Sequence, residues 1–209
     1  MPESDLTEAF DRPVLDSKLR WTNEPPRWSV DTAARCLRVE PAANTDFWQK
    51  THYGFEADNG HLLSLPVVGD FVLTTHVHFS PVNQYDQAGL MVRLSPECWI
   101  KSSVEYEPRE ANRLGVVVTN AGYSDWSTQA FPDDRRDAWL RIRRESTDYL
   151  VESSEDGARW TQLRMAHLLD DRDGAAVEAG VYACSPQGSG FVAEFTLFSV
   201  VQGPVTAAM

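Results

Sequence analysis

The sequence predicts an all-β fold, a sandwich of two antiparallel sheets. Short stretches of alternating apolar and polar side chains recur along it, turn residues separate them, and no apolar pattern of helical period reaches normal helix length. At 209 residues one core suffices, because sandwiches grow to this size without dividing. Seven Trp and nine Phe supply bulky material for its interior.

Taken in order, residues 1–17 are polar and poorly patterned and are expected as a flexible arm, followed by one domain over residues 18–209. In WTNEPPRWSVD, Pro25 and Pro26 lack the amide hydrogen a strand ladder needs, which places the segment along a sheet edge. Cys36 to Val39 is the first clear strand. After DFWQKTHYGF, Asn59-Gly60 reads as a hairpin turn, since both residues tolerate positive φ. In FVLTTHVHF, Phe71, Leu73, Val77 and Phe79 take one face and Thr74, His76 and His78 the other. The stretch QYDQAGLMVRLSPECWIKSSVEY gives two strands about a Ser-Pro turn. Ala88, Leu90, Val92 and Leu94 oppose Gln87, Met91 and Arg93. Ile100, Ser102 and Val104 oppose Trp99, Lys101, Ser103 and Glu105. The β-branched run LGVVVTN reads as an interior strand. WLRIRRE turns Leu140 and Ile142 inward, with Arg141 and Arg143 outward. Glu155-Asp156-Gly157 reads as a tight turn anchored by Trp160. AHLLDD has a short helical look, and GVYACSP and FVAEFTLFSV close the chain as strands, with Phe191, Phe195 and Leu197 on one face. About ten to twelve strands are expected by these signals.

A formal charge of −12 and a pI near 4.8 argue against nucleic-acid binding and against anionic membranes, since both need a basic surface. The acidic start MPESDLTEAF does not resemble a secretory signal, and no apolar run approaches the roughly 20 residues that span a bilayer. Cys36, Cys98 and Cys184 are odd in number and widely spaced, which fits buried free thiols and a cytoplasmic location.

The motifs WTNEPPRW, DFWQKTHYGF, YDQAGLMVR, WIKSSVEYE, VVTNAGYSDWS, SEDGARW and GVYACSP, in that order over residues 20–201, resemble the uncharacterised regulation-of-enolase-type family DUF1349. This is a branch of the concanavalin A-like lectin and glucanase superfamily. The resemblance implies a jelly-roll sandwich with one concave sheet, a surface on which superfamily relatives bind sugars. It implies no reaction, because one fold hosts many functions.

If the apolar rows of the central pair fill the core, then Gln87, Arg93, Lys101 and Glu105 stand together on the other face of one sheet. Such groups suit a hydroxyl-rich or anionic ligand; the plainer reading is a salt-bridged solvent face. Tyr53 and Trp126 are expected as stacking walls, with His52 and Tyr182 as further candidates and Trp48 expected to be buried. The leading expectation is therefore non-catalytic binding of a small polar ligand, a carbohydrate or related metabolite. Two alternatives stand beside it. One is a glycoside hydrolase-like or pathway-specific enzyme using Glu105, suggested by Glu105-x-Glu107-x-x-Glu110. The other is an interaction module that regulates a metabolic enzyme. His76 and His78 lack a third metal ligand, and Asp170 to Gly174 reads as a solvated turn, so neither metal nor cofactor is expected.

Overall fold

The computed structural model describes residues 5–203. Among these, seventeen strands and no helix form. In chain order the strands are β1 (Leu6–Glu8), β2 (Arg20–Thr22), β3 (Arg27–Asp31), β4 (Cys36–Glu40), β5 (Phe47–Gln49), β6 (Glu56–Asp58), β7 (His61–Val68), β8 (Phe71–Ser80) and β9 (Gln87–Ser95). They continue as β10 (Cys98–Glu105), β11 (Asn112–Asn120), β12 (Tyr123–Phe131), β13 (Asp137–Glu145), β14 (Asp148–Ser154), β15 (Trp160–His167), β16 (Ala176–Cys184) and β17 (Val192–Gln202). An eight-stranded sheet runs β15-β14-β13-β8-β17-β4-β3, with β1 also on β17. A seven-stranded sheet runs β12-β11-β10-β9-β16-β7-β2, and β5 and β6 make a separate ribbon. The recorded strand pairings are antiparallel, as the alternating pattern predicts for a jelly-roll sandwich.

The core lies between the two large sheets. Ala88, Leu90, Val92, Ile100 and Val104 face Phe71, Leu73, Val77, Leu140 and Ile142 across it, so the strand phase read from the sequence holds on both layers. Each such side chain contributes about 1.5–3 kcal/mol when withdrawn from water. The Pro25-Pro26 pair sits between β2 and β3, the outermost strand of each large sheet, where chain crosses from layer to layer without needing ladder donors. All three cysteines are buried and free.

Several local expectations are corrected. The segment read as a flexible arm carries β1, whose Leu6 pairs with Val200, and both Leu6 and Phe10 are buried in the core; residues 1–4 lie outside the described residues. Asn59-Gly60 is not a hairpin turn, because β6 pairs with β5 rather than with β7. The Asn59 side chain instead accepts from the Asp46 amide and donates to the Asn44 carbonyl. AHLLDD forms the end of β15 and a turn, not a helix. In β17 a bulge between Phe195 and Leu197 shifts the phase, so Phe198 and Val200 turn inward with Phe191 and Phe195 while Leu197 does not. There are more strands than the turn signals suggest, and four of them span only three residues, too few to show an alternating pattern.

Candidate functional site

The outer face of the seven-stranded sheet is half apolar. Met91, Trp99, Val117, Tyr182 and Cys184 project from it and are buried, together with Leu62, beneath Phe47 and Trp48 of the β5–β6 ribbon. The face expected to be a polar surface is therefore partly a second small core. The ribbon is held there by specific contacts. The Gln49 amide donates to Ser124 Oγ at 2.9 Å, and the amides of Asn59 and Gly60 donate to the Asp46 carbonyl. Gly60 must lack a side chain, since a Cβ there would lie 2.4 Å from the Phe47 ring and 2.5 Å from Cys184 Sγ.

Beside this cover a polar network lies on the sheet. The antiparallel register sets Gln87 directly opposite Glu105 on β10 and opposite Cys184 on β16. Lys101, nearly fully buried, donates from Nζ to Gln87 Oε1 at 3.0 Å and to Asp46 Oδ1 at 3.2 Å. Its ammonium also lies 5.5 Å from the Tyr182 ring centre and 5.7 Å from that of Trp99, close enough for cation–π attraction. The Tyr182 hydroxyl donates to Gln87 Oε1 at 2.9 Å. With its carbonyl oxygen fixed by two donors, the Gln87 amide turns its nitrogen to Glu105 Oε2 at 3.2 Å and to the Tyr85 carbonyl at 3.3 Å. Glu105 Oε1 is buried with no hydrogen-bond partner among the described residues. Burial pushes the Glu105 carboxyl up to about 8; Lys101 opposes that rise, and the charges of Asp46 and Glu107 add to it.

Above the network is a cavity of ≈ 150 Å³. Its walls are aromatic: Trp48, Tyr53, Phe55, Tyr85 and Trp126 line it, while Asp46, Gln87, Lys101 and Glu105 supply its ionic and amide groups. Trp48 and Trp126 meet edge to face at 6.4 Å, and Trp48 and Tyr53 are tilted at 5.4 Å. The Trp126 indole can lie against β11 because Gly115 leaves room: a Cβ there would come within 2.7 Å of Trp126 Nε1. The loop that carries Tyr53 holds Lys50, His52 and Gly54 at φ of 52°, 62° and 70°, a tight path that leaves Tyr53 and Phe55 exposed at the mouth.

Five of the six residues singled out from the sequence thus come together: Gln87, Lys101, Glu105, Tyr53 and Trp126. Arg93 does not join them. Its guanidinium makes two bonds, of 2.7 and 2.8 Å, to the Asp58 carboxylate on β6 and lies 5.8 Å from the Phe47 ring centre, so it clamps the ribbon to the sheet. Trp48 is buried as expected, yet it still walls the cavity, and Phe47 is buried too: the ribbon is covered on both sides. Asp46, Phe55 and Tyr85 were not singled out. Asp46 opens the DFWQKTHYGF motif, but its role follows only from its contact with Lys101, 55 positions away.

Other motifs take structural roles. Glu107 accepts from Gln84 and pairs with Arg113, so it is held away from the cavity and does not form a carboxylate pair there with Glu105. His76 stacks on Trp139 at 4.3 Å, and both its ring nitrogens are engaged, one with Thr196 Oγ1 and one with Asp137. The acidic run 170–173 is not merely a solvated turn. Asp171 is buried and receives the Arg144 guanidinium through two bonds and the Tyr149 hydroxyl at 2.6 Å. Asp156 does cap its own turn, accepting from the amides of Ala158 and Arg159, with Gly157 at φ 72°.

Residues 21–202 match the model of a family described as a protein of unknown function, DUF1349. The chain belongs to the DUF1349 family. Within the chain's wider kinship, the Saccharomyces cerevisiae protein named regulation of enolase protein 1 is 36% identical over 186 residues, covering 86% of this chain and 87% of the relative. A crystal structure of a functionally unknown Saccharomyces cerevisiae protein superimposes with a TM-score of 0.81 at 32% identity, covering 91% of this chain and 98% of the other. A putative β-xylosidase of Escherichia coli is 24% identical over 91% of this chain, which spans 37% of that longer protein. A GH43 protein from Bacillus licheniformis matches at a TM-score of 0.75 and 18% identity, over 94% of this chain and 39% of the other, a likeness of fold alone. This DUF1349 chain therefore shares its jelly roll with part of larger carbohydrate-active enzymes. Among the described residues no helix is long and apolar enough to cross a membrane.

Proposed function

We propose that this chain binds one small polar ligand, a carbohydrate or related metabolite, in the aromatic-walled cavity over Gln87, Lys101 and Glu105, and that it does so without catalysing a reaction. The observation that carries the reading is the union of stacking rings and a preorganised polar floor in one recess. Trp48, Tyr53 and Trp126 offer faces for the CH-rich side of a sugar ring, and the Lys101–Gln87–Tyr182 network is rigid before any ligand arrives. At ≈ 150 Å³ the recess is smaller than the roughly 300–1,000 Å³ of drug-sized sites, which suits a single ring. The likeness to part of carbohydrate-active proteins supports the same ligand class.

The hydrolase alternative has less support, because the second carboxylate in the cavity, Asp46, is already committed to Lys101 and the Phe47 amide, and Glu107 is turned to Gln84 and Arg113. The regulatory alternative draws on the name of the Saccharomyces cerevisiae relative. It is compatible with ligand binding, if a cytoplasmic metabolic enzyme is contacted through the exposed Tyr53–Phe55 shelf at the cavity mouth.

A thermal-shift screen of monosaccharides tests the proposal. At a concentration near 100 times Kd a ligand of the native state adds about 2.7 kcal/mol, which for a chain of this length raises Tm by roughly 5–10 °C. The shift is expected to vanish in Trp126→Ala. A ligand that stabilises both proteins equally binds elsewhere, and the proposal then fails.

A further inference from the structure

The hydrogen-bonding capacity of the cavity floor is almost fully used within the protein. The Gln87 amide accepts from Lys101 and Tyr182 and donates to Glu105 and Tyr85. Asp46 Oδ1 accepts from Lys101 and from the Phe47 amide. The atom that remains, buried and unmatched, is Glu105 Oε1. A buried polar atom without a partner costs stability, so its persistence calls for a role.

The charges around it are committed in the same way. Lys101 is neutralised by Asp46, Arg113 is divided between Glu107 and Glu110, and Arg93 is held by Asp58. An anionic ligand, such as a sugar phosphate or an organic acid, would meet no uncommitted cation there and would face a carboxyl group. A positively charged ligand meets the reverse. Glu105 lacks an ion-pair partner, five aromatic rings surround the space beside it, and the chain's net charge of −12 draws cations toward its surface.

We infer that the ring bound in this cavity carries a cationic amino group, as an amino sugar does, and that its ammonium is received by Glu105 Oε1 inside the aromatic walls. The inference rests on the sugar-binding reading above and narrows it to one chemical class. In the free chain burial keeps this carboxyl protonated near neutral pH; an arriving ammonium displaces that proton to solvent and donates to the unmatched oxygen, so the carboxylate that forms gains a neighbour. The aromatic faces contribute cation–π attraction and cover the CH edge of the ring, while the exposed Gln187 at the rim is placed for a ring hydroxyl. A neutral ring gains only the stacking and one hydrogen bond.

The test compares matched pairs by isothermal titration calorimetry on the native chain: glucosamine with glucose, galactosamine with galactose and mannosamine with mannose, with N-acetylglucosamine as a ring whose amine carries no charge. At least one amine is expected to bind about tenfold or more tightly than its neutral partner, the size of effect a charge-assisted hydrogen bond with cation–π support provides. Glu105→Gln, which keeps the side chain's shape, is expected to remove that preference while leaving weak binding of the neutral ring. If neutral sugars bind as tightly as the amines, or if Glu105→Gln keeps the preference, the amino-group inference is overturned while the sugar site stands. If none of the seven compounds binds at millimolar concentration, the sugar site falls with it. The matched-pair comparison needs no variant to fold.

Discussion

Glu105 and Asp171 are both carboxyl groups withdrawn from water, and their neighbours treat them oppositely. Asp171 is met by a guanidinium fork and a phenol, so its charge is compensated within the fold. Removing that compensation leaves Arg144 buried and unpaired, and Asp171→Ala is expected to cost about 3–5 kcal/mol in urea unfolding. Breaking the exposed Arg27–Glu40 pair by Arg27→Ala should cost only about 0–1 kcal/mol by the same measurement. Glu105 has no such partner. With its folded pKa near 8 and an unfolded value of about 4.3, the folded chain holds a proton across this window that the unfolded chain releases. Stability from this group is therefore full below about pH 4 and declines as pH rises toward 8, by on the order of 1 kcal/mol per pH unit at most. Lys101, Asp46, Glu107 and Arg113 are the charged groups facing it and set the size of that slope. Urea melts of the native chain and Glu105→Gln at mildly acidic and mildly alkaline pH should show the native chain losing more stability; equal losses would contradict this account of Glu105.

At the scale of elements, the β5–β6 ribbon decides whether the sheet face is open or walled. It is short, it pairs only with itself, and it rests on Arg93, Gly60 and Ser124. Gly60→Ala drives a methyl into the Phe47 ring, an overpacking expected to cost about 1–3 kcal/mol and to displace Trp48 from the cavity. Ligand-induced stabilisation should then be lost while near-native circular dichroism persists; retained binding would mean the ribbon does not shape the site. Alternation made β8, β9, β10 and β13 legible in the sequence, because each runs eight to ten residues with one face in the main core. It could not reveal the ribbon, since three-residue strands carry too little pattern and both Phe47 and Trp48 are buried, one against the sheet and the other among the loop aromatics. Arg93 was misplaced for a related reason: its strand face was read correctly, but Asp58 reaches it from 35 residues upstream. Alternation sets Arg144 on the inward face with Leu140 and Ile142, but nothing local ties it to Asp171, which reaches it from 27 positions away and so looks solvent-facing within its own acidic run.

Over the whole molecule, two layers and one cover divide the work. The sandwich interior fixes strand phase, and phase alone sets Gln87, Lys101 and Glu105 on the same side; Trp126 joins them from β12 and Tyr53 from the loop after β5. Another recess, of ≈ 320 Å³ and lined by residues of β12, β13 and β14 and the turns beside them, shows the contrast: Arg135 there is bound to Asp137 and to the Glu155 carbonyl, and Arg159 to Asp156, so its basic groups serve turns. One topological fact reaches beyond binding. β17 is the last strand among the described residues, yet it lies inside its sheet, hydrogen-bonded to β8 on one side and to β4 on the other, with β1 alongside. A chain emerging from the ribosome thus holds a layer with a slit down its middle until residue 202 has been made, and β8 and β4 keep unpaired edges toward each other until then. Until that insertion closes the layer, a nascent copy is open to pairing with the wrong strand.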